Sequence, residues 1–173
     1  LGSPDHMSLE ALNSLPENEA RQTLHNCCGA QRWVSLMLAA RPFRDTAGCL
    51  QVAEQAWSTT TASDWLEAFS NHPKIGDLDS LTKKFASTSH LAGKEQAAVG
   101  NASQSTLQAL AKGNDEYEKK FGFIFIVCAT GKSADEMLDL LQQRLANDRT
   151  TELNIAAGEQ LKITLLRLQK LIA

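Results

Sequence analysis

Residues 71–77 are Asn-His-Pro-Lys-Ile-Gly-Asp, which brings several chemically active side chains into one short stretch. A residue that precedes proline is pushed out of the α region, so a helical pattern that reaches Phe69 must end by His72. Pro73 stiffens the resulting bend and limits the orientations of the imidazole. Because histidine exchanges a proton near neutral pH, one interpretation is a proton-transfer site. The other is an ordinary helix-ending turn with a solvated histidine.

Four cysteines offer further reactive side chains, at positions 27, 28, 49 and 128. They contain no Cys-x-x-Cys pair and lack the regular spacing of small disulfide-rich domains. His25 lies near Cys27 and Cys28 in the sequence, but this grouping does not have the ligand spacing of a zinc site. We therefore predict buried, reduced thiols and no bound metal.

Size and composition are typical of one soluble globular domain. The 173 residues are 43% hydrophobic and 21% charged, and chains of about 100 to 200 residues usually form one core. The net charge of −3 provides no broad positive field, which argues against a nucleic-acid partner. No apolar run approaches the roughly 20 residues that span a bilayer, and the chain opens on no leader, so we expect a cytoplasmic protein. Residues 1–6 resemble an expression-tag remnant, which leaves residues 7–173 as the expected domain.

Capping residues and helical periodicity predict the elements that bring the chain to His72. Ser14 and Glu17 have the spacing of a capping box, which predicts a helix that ends at about Cys28. Asp45 and Ser63 are candidate N-caps for the third and fourth helices. Apolar residues repeat at offsets of three and four in the second, third and fourth helices: these are Trp33, Leu36, Met37 and Ala40, then Leu50, Ala53 and Trp57, then Trp65, Leu66 and Phe69.

The same signals continue after the bend and bring the total to about eight helices. Glycine and asparagine at positions 100 and 101 predict a break or a kink. Ser133 and Glu136 form a second capping-box pattern. The further predicted helices are Leu78 to Ala86, one from near Leu91, Ser103 to Lys120, one from Ser133 carrying Leu138, Leu141 and Leu145, and a last one from Thr150 or Thr151 carrying Leu153, Ala157, Leu161, Leu165, Leu168 and Ile172.

Residues 121–128 depart from the helical pattern because they are an unbroken run of mostly aromatic and β-branched residues. Their propensity favours a buried strand. No partner strand is predicted elsewhere, however, and a lone strand leaves its backbone groups unpaired. We therefore predict an extended or irregular apolar connector, at about 121–128, within a single compact all-α bundle. Its N–H groups could serve a ligand, or the segment could be purely hydrophobic core.

Four short motifs follow one another along this helical background: His-Pro-Lys-Ile-Gly-Asp at 72–77, Glu95-Gln96, Phe-Gly-Phe-x-Phe-Ile at 121–126 with Gly131-Lys132, and Arg144-Leu145-x-Asn147 with Glu152. Together they resemble the 2-oxo-4-hydroxy-4-carboxy-5-ureidoimidazoline (OHCU) decarboxylases, which form allantoin in the last step of urate oxidation. The resemblance extends from about Ser8 to Ile172. It implies an all-α homodimer that acts on a small molecule and uses neither a metal nor an organic cofactor.

The resemblance also implies roles for individual residues. His72 corresponds to the catalytic histidine and Glu95 to the acidic residue near it. The implied substrate contacts are Pro73, Ala92, Gln96, Phe125, Ile126 and Arg167. At Ala92 many members of the family have serine, so any hydrogen bond from that serine must here come from a backbone group or be absent.

The implied substrate explains why no cofactor is needed. Its carboxylate is on a carbon next to a C=N bond, which can accept the electrons released when CO2 leaves. The protein then has to orient the substrate and deliver a proton. We expect His72 to transfer that proton, Glu95 to orient or stabilise its ring, and Arg167 to bind substrate oxygens. The amides of Phe125 and Ile126 would bind ring acceptors.

Two other classes of function fit the same residues. A helical interaction module would use the Trp and Leu faces as a partner-binding groove, with Glu95-Gln96 on a solvated face and the Arg167 stem along the edge of the core. A hydrolase acting on a related ureide would use His72 and Glu95 to activate water. The absence of a metal-ligand cluster and of a Gly-x-Ser-x-Gly motif argues against the hydrolase.

Overall fold

The computed structural model describes the backbone of residues 6–73, 78–86 and 95–173, and the side chains of residues 6–73, 79–83 and 104–173. In these ranges the chain forms helices and no strand, which confirms the predicted all-α class. The helices are α1 (Leu9–Ser14), α2 (Glu17–Cys27), α3 (Gln31–Ala40), α4 (Thr46–Ser58), α5 (Ala62–Ser70), α6 (Leu78–Ala86), α7 (Glu95–Phe121), α8 (Ala134–Leu145) and α9 (Arg149–Ile172).

The residues group into two compact units. The first unit contains the chain up to His72 together with Ile126–Cys128 and Ile155–Ala173. The second unit contains Pro73–Phe125 and Ala129–Asn154. Each unit has its own set of buried apolar side chains.

Two tryptophans organise the core of the first unit. Trp33 of α3 is fully buried, and its indole N–H donates to the carbonyl of Ala53 at 3.1 Å. Trp57 of α4 donates in the same way to Ala157 of α9 at 3.0 Å. A buried indole N–H without a partner is costly, so these two bonds specify how α3, α4 and α9 pack.

The helix starts follow local capping chemistry, and two of the four predicted capping residues are confirmed. Asp45 accepts a hydrogen bond from the Gly48 amide at 2.6 Å, and Ser133 accepts one from the Glu136 amide at 3.1 Å. Both caps satisfy an N–H group that has no partner inside its helix.

The other two predicted capping residues, Ser14 and Ser63, do not cap their helices. Ser14 ends α1 and does not cap α2, whose N-cap is Pro16 without a side-chain bond. The helix α5 begins after Thr61, where Asp64 accepts from the Thr61 amide at 2.9 Å, so Ser63 already lies inside the helix. A serine side chain can bond to backbone groups at either end of a helix or inside it, so the residue type alone does not show where a helix starts.

The second unit is built around α7 and α8. Of the break or kink predicted at Gly100-Asn101, the break is wrong, because α7 is one continuous helix of 27 residues. A single interior glycine costs only about 1 kcal/mol relative to alanine, which the rest of the long helix offsets. Further along, Gly113 lets Leu141 of α8 approach closely: a Cβ added there would lie 2.6 Å from Leu141 Cδ2.

The connector between α7 and α8 is irregular, as predicted, and contains no strand among its residues 122–133. It starts at Gly122, whose φ of +81° lies in the left-handed region that glycine tolerates. Phe123 and Ile126 are buried, and Phe125 is partly buried.

The last helix, α9, starts slightly earlier than predicted, at Arg149. Asp148 accepts from the Thr151 amide at 2.7 Å, and this bond lowers the pKa of its carboxyl. Among the described residues, no helix is long and apolar enough to cross a bilayer.

Candidate active site

His72 lies on the turn that follows α5, as the sequence predicts. The His72 amide donates to the carbonyl of Phe69 at 3.2 Å, which ends the helix. Before it, the Asn71 side chain donates to the carbonyls of Gly29 at 2.9 Å and Glu67 at 3.0 Å. The turn that carries the imidazole is therefore attached to the loop between α2 and α3.

Gly29 makes this attachment possible. A Cβ at position 29 would lie 2.5 Å from Asn71 Cβ and 2.9 Å from Asn71 Cγ. Real Cβ atoms do not approach other carbons so closely, so only glycine admits Asn71 in this position. The backbone of the loop and the side chain of Asn71 together locate His72.

The His72 ring is half-buried and hydrogen-bonds through Nε2 to Oε1 of Gln160 on α9. Gln160 is fully buried, and its amide nitrogen donates to the Thr164 hydroxyl at 3.0 Å. Thr164 is also buried and donates to the backbone carbonyl of Gln160 at 2.9 Å. One ring nitrogen thus bonds to the protein, and within the described part of the chain Nδ1 has no hydrogen-bond partner.

Burial lowers the pKa of His72 because it disfavours the charged ring, and the positive charge of Arg167 lowers it further, whereas the bond to Gln160 raises it. The ring is therefore neutral at neutral pH. A neutral imidazole with a free lone pair can accept a proton and return it, which is what an acid–base catalyst requires.

Arg167, a predicted substrate contact, is an exposed residue of α9 in the same unit as His72. Its Nη1 donates to the carbonyls of Asn26 and Cys27, at 3.4 Å each. These long bonds orient the guanidinium at the end of α2 without using all its donors. The charge of Arg167 acts on His72, so the first unit brings together two of the predicted site residues.

The four cysteines are buried and free, as predicted. Burial raises the pKa of Cys27 to about 12 and that of Cys28 to about 11, so both are thiols at neutral pH. Within the described part of the chain, no three His, Cys, Asp or Glu side chains group together as metal ligands would.

The connector residue Ile126 belongs to the first unit and is buried. Two residues later, the Cys128 amide donates to the Glu159 carboxylate of α9 at 3.0 Å. Glu159 also forms an ion pair with Lys162 at 2.6 Å. A charged acceptor on α9 therefore fixes this end of the connector.

In the second unit, a buried charge network supports Phe125. The Arg144 guanidinium lies 4.5 Å from the centre of the Phe125 ring and donates to Glu152 at 2.5 Å. Glu152, which is fully buried, also accepts from Tyr117 at 2.5 Å and from Asn147 at 3.1 Å. These four polar residues hold the aromatic part of the connector, so Arg144 and Asn147 are packing elements.

The remaining predicted site residues are only partly described. Pro73 is exposed directly after His72. Glu95 and Gln96 are the first two residues of α7, but their side chains lie outside the described ones. Ala92 and residues 74–77 of the signature lie outside the described residues altogether.

The sequence model of the family described as OHCU decarboxylase matches residues 13–169. The chain belongs to the OHCU decarboxylase family. The matched region includes His72, Phe125, Ile126 and Arg167. The fold and the family therefore agree over nearly the whole of the described chain.

The chain is similar to urate-degrading proteins and to an OHCU decarboxylase from other organisms. The uric acid degradation bifunctional protein TTL of Arabidopsis thaliana is 40% identical over 85% of this chain and 45% of its own length. The bifunctional protein PucL of Bacillus subtilis is 25% identical over 95% of this chain and 33% of its own length. The chain thus spans less than half of these two relatives. The OHCU decarboxylase of Halalkalicoccus jeotgali is 25% identical, with 95% of this chain and 92% of the relative covered.

One solved structure supports the same family, and a second supports the fold. An OHCU decarboxylase crystallised in the presence of (S)-allantoin is 39% identical, has a TM-score of 0.67, and covers 84% of this chain and 94% of its own. An (S)-allantoin synthase with a TM-score of 0.67 is 18% identical over 95% of this chain and 54% of its own, and it supports the shared fold alone.

Gln160 and Thr164 were not among the predicted site residues. Of the six apolar residues predicted along α9, Leu153, Ala157, Leu168 and Ile172 are buried, whereas Leu161 and Leu165 are only partly buried. Gln160 and Thr164 also occupy buried positions. A signal was present, because both polar residues fall at helical spacing with Ala157 and Leu168. A polar residue at a core position needs a partner, and here that partner includes His72.

Proposed function

We propose that this chain catalyses the cofactor-free decarboxylation of OHCU to (S)-allantoin, the last step of urate oxidation in purine breakdown. The observation that carries the proposal is the family match over residues 13–169, within which His72 is presented on a bend as a neutral, half-buried imidazole. The relative crystallised with (S)-allantoin supports the identity of the product.

His72 is the proposed proton carrier, and Glu95 the carboxylate that orients it or stabilises its charged form. The remaining proposed site residues bind the substrate: they are Pro73, Ala92, Gln96, Phe125, Ile126 and Arg167. Arg167 supports this assignment because its guanidinium is exposed and its charge acts on His72. A planar fork of donors suits the carboxylate or ureido oxygens of OHCU.

A product analysis tests the reaction class. OHCU would be generated freshly from urate that carries ¹³C in the atom that becomes the carboxylate, and the label followed by NMR with and without the protein. We expect the protein to accelerate loss of the label as CO2. A labelled carboxylate retained in a ring-opened product would identify a ureide hydrolase, and an unchanged rate would favour a non-enzymatic interaction module.

We also propose that residues 7–173 act as one catalytic domain, that it forms a homodimer, and that it works in the cytoplasm. The family match supports the domain, the resemblance to known family members supports the dimer, and the buried free thiols suit a reducing compartment. Light scattering after gel filtration tests the dimer, because a mass close to that of the 18.9 kDa chain would contradict it.

A further inference from the structure

The hydrogen bonds around Gln160 run in one direction along the chain of partners. The Thr164 hydroxyl has a single hydrogen, which it donates to the backbone carbonyl of Gln160 at 2.9 Å. Toward the Gln160 side chain, 3.0 Å away, it can only accept, so the amide NH2 must face Thr164. The amide oxygen then faces His72, and an oxygen requires a donor.

Burial fixes the orientation of the Gln160 amide. Gln160 is 0% exposed and Thr164 is 1% exposed, so water does not replace a wrongly oriented partner. The side chain of Cys28 also bonds to Thr164, and it does so as a thiol, because burial raises the pKa of Cys28 to about 11. Among the described side chains, the charged group that acts on His72 is Arg167, which opposes a second proton on the ring.

We propose that Gln160, oriented by Thr164, holds the His72 proton on Nε2, so that Nδ1 is the nitrogen that exchanges a proton with the substrate. Gln160 is thus a positioning residue that acts through His72. The chemical consequence rests on the proposed function, whereas the position of the proton does not.

The proposed proton path is balanced. The C–C bond to the carboxylate breaks and CO2 leaves. The electron pair of the broken bond forms a C=C bond in the ring, and the C=N nitrogen takes a proton from solvent. Nδ1 then removes the proton of the substrate hydroxyl, and the C–O bond becomes C=O. The electron pair of the C=C bond takes this proton from Nδ1, which forms the C–H bond at the ring carbon that becomes the stereocentre. Throughout, Nε2–H donates to the amide oxygen of Gln160, which can accept from the neutral ring and more strongly from the charged ring.

Nitrogen NMR of the ¹⁵N-labelled chain tests the proton position without any substrate. We expect His72 to show the pattern of a neutral ring protonated on Nε2. Thr164→Val removes the acceptor that orients the amide and should populate the Nδ1-protonated ring, whereas Thr164→Ser keeps the hydroxyl and should keep the pattern. A wild-type ring protonated on Nδ1 would overturn the proposal.

Kinetics test the consequence for catalysis. Gln160→Met has a similar volume but no acceptor, and we expect a fall in kcat of about 10- to 100-fold, the usual effect of losing a partner that orients a functional imidazole, with KM unchanged. Gln160→Glu should restore the acceptor and move the pH profile of kcat to higher pH, since a carboxylate raises the pKa of a neighbouring imidazole. Gln169→Met, at an exposed position of the same helix, is the matched control.

The two measurements separate the possible failures. If wild-type protein lacks decarboxylase activity but shows the Nε2-protonated ring, the proposed function fails and the positioning role stands. If Gln160→Met folds and keeps both kcat and the tautomer of wild type, the positioning role is wrong whatever the activity.

Discussion

Gly29 has no side chain, and this absence lets Asn71 bond to the backbone next to it. The amide of Asn71 contacts the Gly29 carbonyl at 2.9 Å, and His72 is the next residue in the chain. The position of the proposed proton carrier therefore depends on a residue 43 positions earlier that has no chemistry of its own. A displacement of about 1 Å in a catalytic group can cost on the order of 10²-fold in rate.

Gly29→Ala should lower kcat by on the order of 10²-fold while the protein stays folded, because the new Cβ would overlap Asn71 Cβ at 2.5 Å and displace the turn. Steady-state kinetics together with circular dichroism spectra of the variant would check this. Gly158→Ala is the control, since nothing lies within 4 Å of a Cβ there. Equal kcat values for the two variants would disprove the role of Gly29.

At the scale of elements, α7 and α8 pack closely at Gly113 and Leu141. Alanine is a better helix former than glycine by about 1 kcal/mol, but overpacking a filled core costs about 1 to 3 kcal/mol. The Cβ of alanine at position 113 would lie 2.6 Å from the buried Leu141 side chain. Packing should therefore outweigh propensity at this position.

Thermal unfolding should show opposite shifts for two glycine-to-alanine changes in helices. Gly158→Ala at an exposed site of α9 should raise Tm, because only propensity changes. Gly113→Ala should lower Tm, because the overlap with Leu141 dominates. A rise in Tm for both variants would mean that Leu141 moves aside at no cost.

The buried pair of Arg144 and Glu152 links α8 to the start of α9 within the second unit. Removing one member of a buried ion pair typically costs about 3 to 5 kcal/mol, because the other charge stays buried without compensation. Arg144→Met should therefore lower the free energy of unfolding by that amount in urea denaturation. The double variant Arg144→Met with Glu152→Leu should recover part of the loss. A double variant that is less stable than Arg144→Met would contradict this account.

Elements were predictable where their signals are local. Asp45 and Ser133 cap helices with their own side chains, so three or four residues of sequence suffice. Ser14 and Ser63 carry similar local patterns, but Ser14 ends α1, and α5 starts at the equally local capping box of Thr61 and Asp64. The burial of Gln160 could be read from its helical spacing with Ala157 and Leu168, but its partner could not, because His72 is 88 positions away in the chain. The candidate residues themselves came from the family motifs, since a histidine before a proline is also common in simple turns.

For the whole molecule, the lowered pKa of His72 links stability to pH. Its folded pKa lies below the ordinary value of 6.5, so between the two values the unfolded chain binds more protons than the folded one. The stabilising contribution is fully present above about pH 6.5 and is lost as the pH falls through the lower, folded value.

Urea denaturation of wild type and His72→Asn at several pH values checks this linkage. The other three of the four histidines are common to both proteins, so their effects cancel in the difference. We expect wild type to lose stability more steeply than His72→Asn as the pH falls below about 6.5. Parallel curves would mean that the folded pKa of His72 is not lowered.

The central claim is that this chain decarboxylates OHCU stereospecifically with His72 as the proton carrier. The most direct measurement is the circular dichroism of allantoin as it forms from fresh OHCU, with wild type and with folded His72→Ala. We predict rapid formation of (S)-allantoin by wild type and a rate lower by about 10² to 10⁴-fold for His72→Ala, the usual contribution of general acid–base catalysis. Slow formation of racemic allantoin with wild type, or rapid formation of one enantiomer with His72→Ala, would contradict the claim.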